Sequence, residues 1–309
     1  MRILVVGAGG VGGYFGGRLA AAGRDVTFLV RDARAALLSR EGLRIRSPFG
    51  DVTLANPQTL TREGLATPFD LVIIGCKAYD LAPVIEDVAP AVGPATAVLP
   101  LLNGMAHLDA LDARFGGAQV LGGQCHIAAT LDGEGVIRHL NRTHSLTFGE
   151  RDGSASARMQ RITAVLSDAG FEARPSVRIV QDMWDKWVFL ATLAGITCLM
   201  RAPVGDIMAS PGGREITLEL LGNCVAVAAE AGHPPDEATV ERTRQSLTDP
   251  GSTLTASMLR DIQRGGPIEA DHIVGDMIER AGRQRASIPL LHIAYAHLKA
   301  YEACRVRAS

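Results

Sequence analysis

The run Arg2-Ile3-Leu4-Val5-Val6 passes directly into Gly7-Ala8-Gly9-Gly10-Val11-Gly12. No other stretch limits the fold so tightly. A short, almost wholly apolar segment suits a parallel strand buried on both faces. The pattern predicts a helix from about Val11 to Ala22, closed by Gly23. Asp25 to Val30 then reads as a second strand, so one strand–helix–strand unit fills about 30 residues. Gly7, Gly9 and Gly12 fall at the spacing G-x-G-x-x-G between strand and helix. There the first glycine permits a tight turn, the second lets backbone approach a pyrophosphate at the helix N-terminus, and the third lets helix and strand pack closely. The loop, with Gly10 inside it, is therefore read as a dinucleotide grip. The plainer alternative is a flexible glycine turn without a ligand.

The end of the second strand bears on which dinucleotide. Where the cofactor is NAD, an acidic residue there usually holds the ribose 2′-hydroxyl. This chain has Val30 and then Arg31, with Arg34 one turn on. A guanidinium suits a 2′-phosphate, which favours NADPH. Asp32 could instead serve the hydroxyl, and Arg31 could be an ordinary solvated residue.

The β pattern continues. Leu43 to Arg46 and Val52 to Ala55 resemble a hairpin, and Phe69 to Ile74 and Ala97 to Leu102 read as buried strands. Gln119 to Ala129 and a pair of strands, Val136 to Leu140 and Ser145 to Phe148, extend the β-rich part. A helix from about Ser154 to Ala169 and a strand near Glu172 to Val177 close it. Beyond residue 178 helical periodicity takes over, through 180–200, 212–231, 235–247, 252–264, 268–284 and 288–303. Pro203, Pro211-Gly212-Gly213, Gly232, Pro250-Gly251, Gly265-Gly266-Pro267 and Pro289 punctuate it. The fold class is thus α/β plus all-α: a Rossmann-type dinucleotide-binding domain over 1–178, then a helical substrate and catalytic domain over 179–309. A chain of 309 residues, 47% hydrophobic, is long enough for two such cores.

Bulk properties remove several functional classes. A formal net charge of −2 gives no reason to expect nucleic acid or an anionic membrane surface. Trp187 to Met200 is apolar but only about 14 residues long, which suits a buried core helix rather than a membrane span. Five scattered cysteines without a C-x-x-C pair fit a reducing compartment. With no leader expected at the N-terminus, the chain is placed in the cytoplasm. No metal is expected: His139 and His144 are five apart and lack ligand spacing. Cys125-His126 are neighbours in sequence, which does not make a nucleophile–base pair, and His126 receives no role. The apolar helical half could offer a homodimer face or could equally be core.

Ligands of open α/β sheets sit beyond the C-terminal ends of the strands. Lys77 and Asn103 follow two such ends. Lys186 precedes Trp187-Val188-Phe189-Leu190-Ala191. It could be a lysine snorkelling from a helix end, or a partly desolvated ammonium with its pKa drawn toward neutrality, fit to protonate a developing alkoxide. Glu269 lies just after Gly265-Gly266-Pro267, where a carboxylate is often only a helix-dipole partner, and Ser257 could face solvent.

Taken together these residues resemble the ketopantoate reductase (2-dehydropantoate 2-reductase) family along essentially the whole chain. The matching pieces are Gly7 to Gly13, Cys76-Lys77-Ala78, Leu102-Asn103-Gly104-Met105, Lys186, Ser257-Met258-Leu259-Arg260-Asp261-Ile262 and Glu269. The resemblance implies that NADPH reduces the keto carbon of a small-molecule 2-oxo acid to a 2-hydroxy acid, a step of pantothenate biosynthesis in that family. It implies that Lys186 is the general acid, that Glu269 is a second catalytic residue reaching substrate and cofactor, and that Ser257 lines the substrate pocket. It further implies that Asn103 meets substrate and nicotinamide, that Lys77 lies near the cofactor, and that Arg31 meets the 2′-phosphate. Two departures bear on the substrate. The family's asparagines four and eight residues after the lysine are here Leu190 and Ala194, with Thr197 keeping a polar group further along, and Ile268 replaces a threonine before Glu269. A site built to hydrogen-bond a hydroxyl loses discrimination when its partners become apolar. The readings are therefore a ketopantoate reductase, a reductase of the same fold for another 2-oxo acid, or a nucleotide-binding redox sensor without turnover.

Overall fold

The computed structural model describes residues 1–308. The chain divides into two compact units, one of Met1–Leu102 and His107–Val180, the other of Asn103–Ala106 and Gln181–Ser309.

The first unit is built on three sheets. Strands β1 (Arg2–Val6), β2 (Asp25–Leu29), β3 (Leu43–Arg46), β4 (Val52–Leu54), β5 (Gln58–Leu60), β6 (Leu71–Ile74) and β7 (Ala97–Pro100) are followed by β8 (Gly122–His126), β9 (Ala129–Leu131), β10 (Ile137–His139), β11 (Ser145–Gly149) and β12 (Glu172–Pro175). The main sheet is parallel, in the order β5-β2-β1-β6-β7. Every residue of β6 and β7 is buried, which explains their unbroken apolar character. The chain leaves β1 toward β2 and later returns to its other side as β6, so the strand order reverses direction at β1. The crevice at such a reversal is where open α/β sheets hold their ligands.

A second sheet, β4-β3-β10-β9, lies on the far side of the glycine-rich helix α1 (Gly10–Ala21). The glycines of α1 explain how one helix fits between two sheets. A Cβ at Gly16 would stand 2.7 Å from the Phe28 ring of the main sheet, and one at Gly17 the same distance from Ile45 of the second. A helix normally disfavours glycine by about 1 kcal/mol each; here the missing side chains are what allow the close approach.

The third sheet is β12-β11-β8. The segments near 136–140 and 145–148 do not pair with each other. β10 joins β9 and β3, while β11 joins β8 and β12. Hydrophobic alternation marks both as strands but carries no information on partner choice.

The second unit is helical: the long helix Ile179–Met200, then Val204–Ala209, Gly213–Glu230, Glu237–Leu247, Ser257–Gln263, Asp276–Glu279 and Pro289–Ala308. The first of these is long and apolar enough to cross a membrane, yet 67% of its apolar window is buried inside the protein, as a core helix requires. The stretch 268–284 is not the single helix its periodicity predicts. It is a π-helical turn Asp271–Gly275, one turn of α-helix, and a 3-10 segment Gly282–Ser287. Gly282 at φ +50° breaks the helical path between the last two.

Candidate active site

Gly7 occupies φ +87°, a conformation that a side chain would strain, and its amide donates to Leu29 O at 2.9 Å. The turn is thereby anchored to the end of β2. At Gly9 a Cβ would meet nothing within 4 Å, so the outer face of the loop is open. Gly9 caps α1 without a side-chain hydrogen bond, and no acidic residue stands in the helix's first turn. A helix of 12 residues then presents unsatisfied amides and its positive end at an uncovered glycine loop. These features fit a pyrophosphate. Gly12 serves packing: its Cβ would lie 2.3 Å from Gly7 O, and a Cβ on Gly75 would lie 2.8 Å from Gly12 Cα. Gly10 also has a packing reason, because a Cβ there would stand 2.7 Å from Ala129 O.

Two basic residues follow the C-terminal ends of β2 and β6, the strands on either side of β1. Arg31 follows β2 and pairs with Asp80 Oδ1 at 2.8 Å, with 81% of its side chain exposed. The hydrogen bond and charge of Asp80 hold the guanidinium above its ordinary range. Lys77 follows β6 and begins the turn Ala78–Asp80, where Asp80 N donates to Lys77 O at 2.9 Å. Arg34 is committed elsewhere: it donates to Ala8 O at 3.0 Å and to Gly135 O at 3.2 Å, bracing the glycine loop. Asp80, 49 residues from its partner, carries no sequence signal that would reveal the pairing.

The second unit gathers the other candidates. Lys186 Nζ donates to Asn103 Oδ1 at 3.0 Å, across 83 residues of sequence. Asn103 is hydrogen-bonded through its backbone to His272, whose ring also feels the charge of Glu269. Glu269 O in turn accepts from Ile273 N at 3.0 Å, an α-type bond just ahead of the π-helical turn. Four residues of the helical unit thus form one connected set: Lys186, Asn103, His272 and Glu269. His272 was not legible as a site residue, because a lone histidine among helical residues carries no pattern of its own.

Ser257 is exposed at the first position of its helix. Thr197 is different. It is fully buried, and its hydroxyl donates to Leu193 O at 2.6 Å within its own helix. Its oxygen also accepts from Ala256 N at 3.4 Å, just before Ser257. In this structure Thr197 is therefore a core residue that steadies the Ser257 helix, where the sequence reading has it line the substrate pocket. Leu190 is half-buried and Ala194 is 4% exposed, so neither supplies a polar group on the lysine's helix face.

Comparison with known proteins agrees with this layout. The family model for ketopantoate reductase PanE/ApbA matches residues 3–153, and its C-terminal counterpart matches 178–302. The chain belongs to the ketopantoate reductase family. It is 42% identical over 303 residues to the uncharacterized oxidoreductase YkpB of Bacillus subtilis (strain 168), covering 98% of this chain and 99% of that one. The crystal structure of 2-dehydropantoate 2-reductase from Geobacter metallireducens GS-15 superposes with TM-score 0.87 at 26% identity, covering 97% and 99% of the two chains. A D-mandelate dehydrogenase solved with NADH and anilino(oxo)acetate shares the fold, with TM-score 0.88 at 22% identity and 99% of both chains covered. The protein is an oxidoreductase.

Proposed function

We propose that this protein reduces a 2-oxo acid to a 2-hydroxy acid with NADPH, with ketopantoate the favoured substrate. The hydrogen bond between Lys186 and Asn103 carries the reading. When bound, a reduced nicotinamide supplies the hydride; the chain must supply the proton. Lys186 Nζ gives that proton to the keto oxygen as negative charge develops there. Asn103, accepting one of the three ammonium donors, fixes where the remaining donors can point. Glu269 and Ser257 line the substrate side. Gly7, Gly9, Gly10 and Gly12 hold the pyrophosphate, Lys77 lies beside it, and Arg31 takes the 2′-phosphate in exchange for Asp80.

The loss of both helix-face asparagines supports a second substrate reading. With Leu190 and Ala194 in their places, a more apolar 2-oxo acid gains relative to ketopantoate. The fold does not choose between them, since a D-mandelate dehydrogenase has it too. Cytoplasmic location is supported by five free cysteines. A homodimer completes the reading, and sedimentation velocity tests it.

Lys186→Ala is the discriminating variant. It should lower kcat by about 10²- to 10⁴-fold, the contribution of a positioned acid, while cofactor affinity stays within about threefold. Full turnover in the variant would remove Lys186 from the reaction. A wild-type protein that binds NADPH but turns over no 2-oxo acid would favour a sensor.

A further inference from the structure

The corner Asn103-Gly104 is shaped around His272. Gly104 sits at φ +79°, and a Cβ there would lie 2.8 Å from His272 O, 3.2 Å from its Cδ2 and 3.5 Å from its Nε2. The glycine therefore answers two demands: a left-handed backbone and the close approach of an imidazole. His272 itself lies in the π-helical turn Asp271–Gly275, three residues beyond Glu269. Single π turns are rare and shift the side chains that follow out of α-helical register, which is why they recur at functional sites. Here the turn brings the ring against the residue whose side chain holds Lys186.

We propose that His272 is a positioning residue: its hydrogen bond to the Asn103 backbone locks the corner, so that Asn103 Oδ1 aims the Lys186 ammonium. This rests on Lys186 being the proton donor. The chemistry of the ring suits the task. Burial is the largest influence on it and holds its pKa below the ordinary value, against the opposing pull of Glu269, Asp276 and the Asn103 backbone and with a small assist from Arg280. A neutral imidazole donates one N–H in a fixed direction. The bond to Asn103 favours the protonated ring, so the backbone group is the acceptor, and the bond restrains the Asn103–Gly104 peptide from which the Asn103 side chain springs. Asn103 then has both ends constrained, its backbone by His272 and its amide oxygen by Lys186.

The inference predicts a split that a merely structural histidine would not give. His272→Phe keeps a ring of similar size and removes the donor. It should lower kcat about tenfold, the scale of one lost orienting hydrogen bond, with KM for the 2-oxo acid within about twofold. His272→Asn and His272→Gln place an amide N–H near Nδ1 or Nε2, and one of them should recover most of kcat. Gly104→Ala, which pushes on the same corner from the other side, should resemble His272→Phe. A second measurement needs no turnover: NMR of protein labelled at lysine Cε, with the Lys186 signal assigned through Lys186→Arg. The Lys186 signal should shift in His272→Phe and return in the rescuing amide variant. An unmoved Lys186 signal, or wild-type kcat in His272→Phe, would overturn the proposal. If the wild-type enzyme reduces no 2-oxo acid, the functional reading fails on its own, and the NMR result still decides whether His272 positions Lys186.

Discussion

A single amide oxygen, Asn103 Oδ1, joins a residue at the end of one strand to a lysine 83 positions later. That contact is the most consequential one in the helical unit. The asparagine was visible in sequence because it follows a strand end, and the lysine because it precedes an apolar run, although it lies within the helix Ile179–Met200 rather than at its start. What holds them was not. His272 at Asn103, and likewise Asp80 at Arg31, make contacts that only the folded chain creates, and their residue types are common in solvated positions. Arg31 is the residue whose role is most open to measurement. It is 81% exposed and held by one carboxylate, so its net contribution to stability is small, as for most surface pairs. Its expected effect is on the cofactor. Arg31→Ala should weaken NADPH binding about tenfold, the order expected for one charge-assisted contact, and leave NADH within about twofold. Titration of cofactor fluorescence checks both. Equal losses for the two nucleotides would show that Arg31 does not read the 2′-phosphate.

Among the elements, α1 shows best how sequence becomes site. The loop before it reads as a ligand loop, and at Gly7 and Gly9 a Cβ would meet nothing within 4 Å. Gly10, Gly12, Gly16 and Gly17 also answer to packing, because the helix is wedged between two sheets that no local pattern could foretell. Gly→Ala in a helix usually stabilises by up to about 1 kcal/mol. At Gly12 the clash with the Gly7 carbonyl at 2.3 Å outweighs that gain, since backbone must move. Gly12→Ala should destabilise by about 1–3 kcal/mol and weaken cofactor binding together, read by denaturant unfolding and nucleotide titration. A stabilised variant would mean that α1 and β1 can separate freely. Elsewhere the element record divides by physical cause. Buried parallel strands were legible from their apolar runs. The helices Asp32–Glu41, Leu81–Val88 and Ala106–Phe115 went unread, being short and dependent on the sheet they cover. The broken stretch 268–284 went unread because apolar spacing does not separate π, α and 3-10 turns.

At the scale of the whole molecule, stability and substrate are the open quantities. In the first unit His144 Nδ1 lies 2.8 Å from Tyr14 OH, and Phe49 stacks on its ring at 3.8 Å. Burial, then the charges of Arg18 and His139, hold its pKa below the ordinary value, with Glu172 opposing. A depressed pKa means the unfolded chain binds the proton more readily. Stability is therefore complete above about pH 6.5, the unfolded value, and is lost as pH falls through the lower folded value. The melting temperature should fall between pH 7 and pH 5, and His144→Gln should flatten that slope by less than one proton's worth. An unchanged slope would remove His144 from the acid response. Substrate is the larger question, because on the proposed reading Leu190 and Ala194 stand on the helix face that would recognise the acid. The decisive measurement is NADPH oxidation with ketopantoate beside a panel of 2-oxo acids of increasing apolar bulk, each run with wild type and Lys186→Ala. Turnover of ketopantoate or of an apolar relative, abolished by Lys186→Ala, is the predicted result. Wild-type turnover that survives the loss of Lys186, or no turnover of any 2-oxo acid by an enzyme that still binds NADPH, would contradict it.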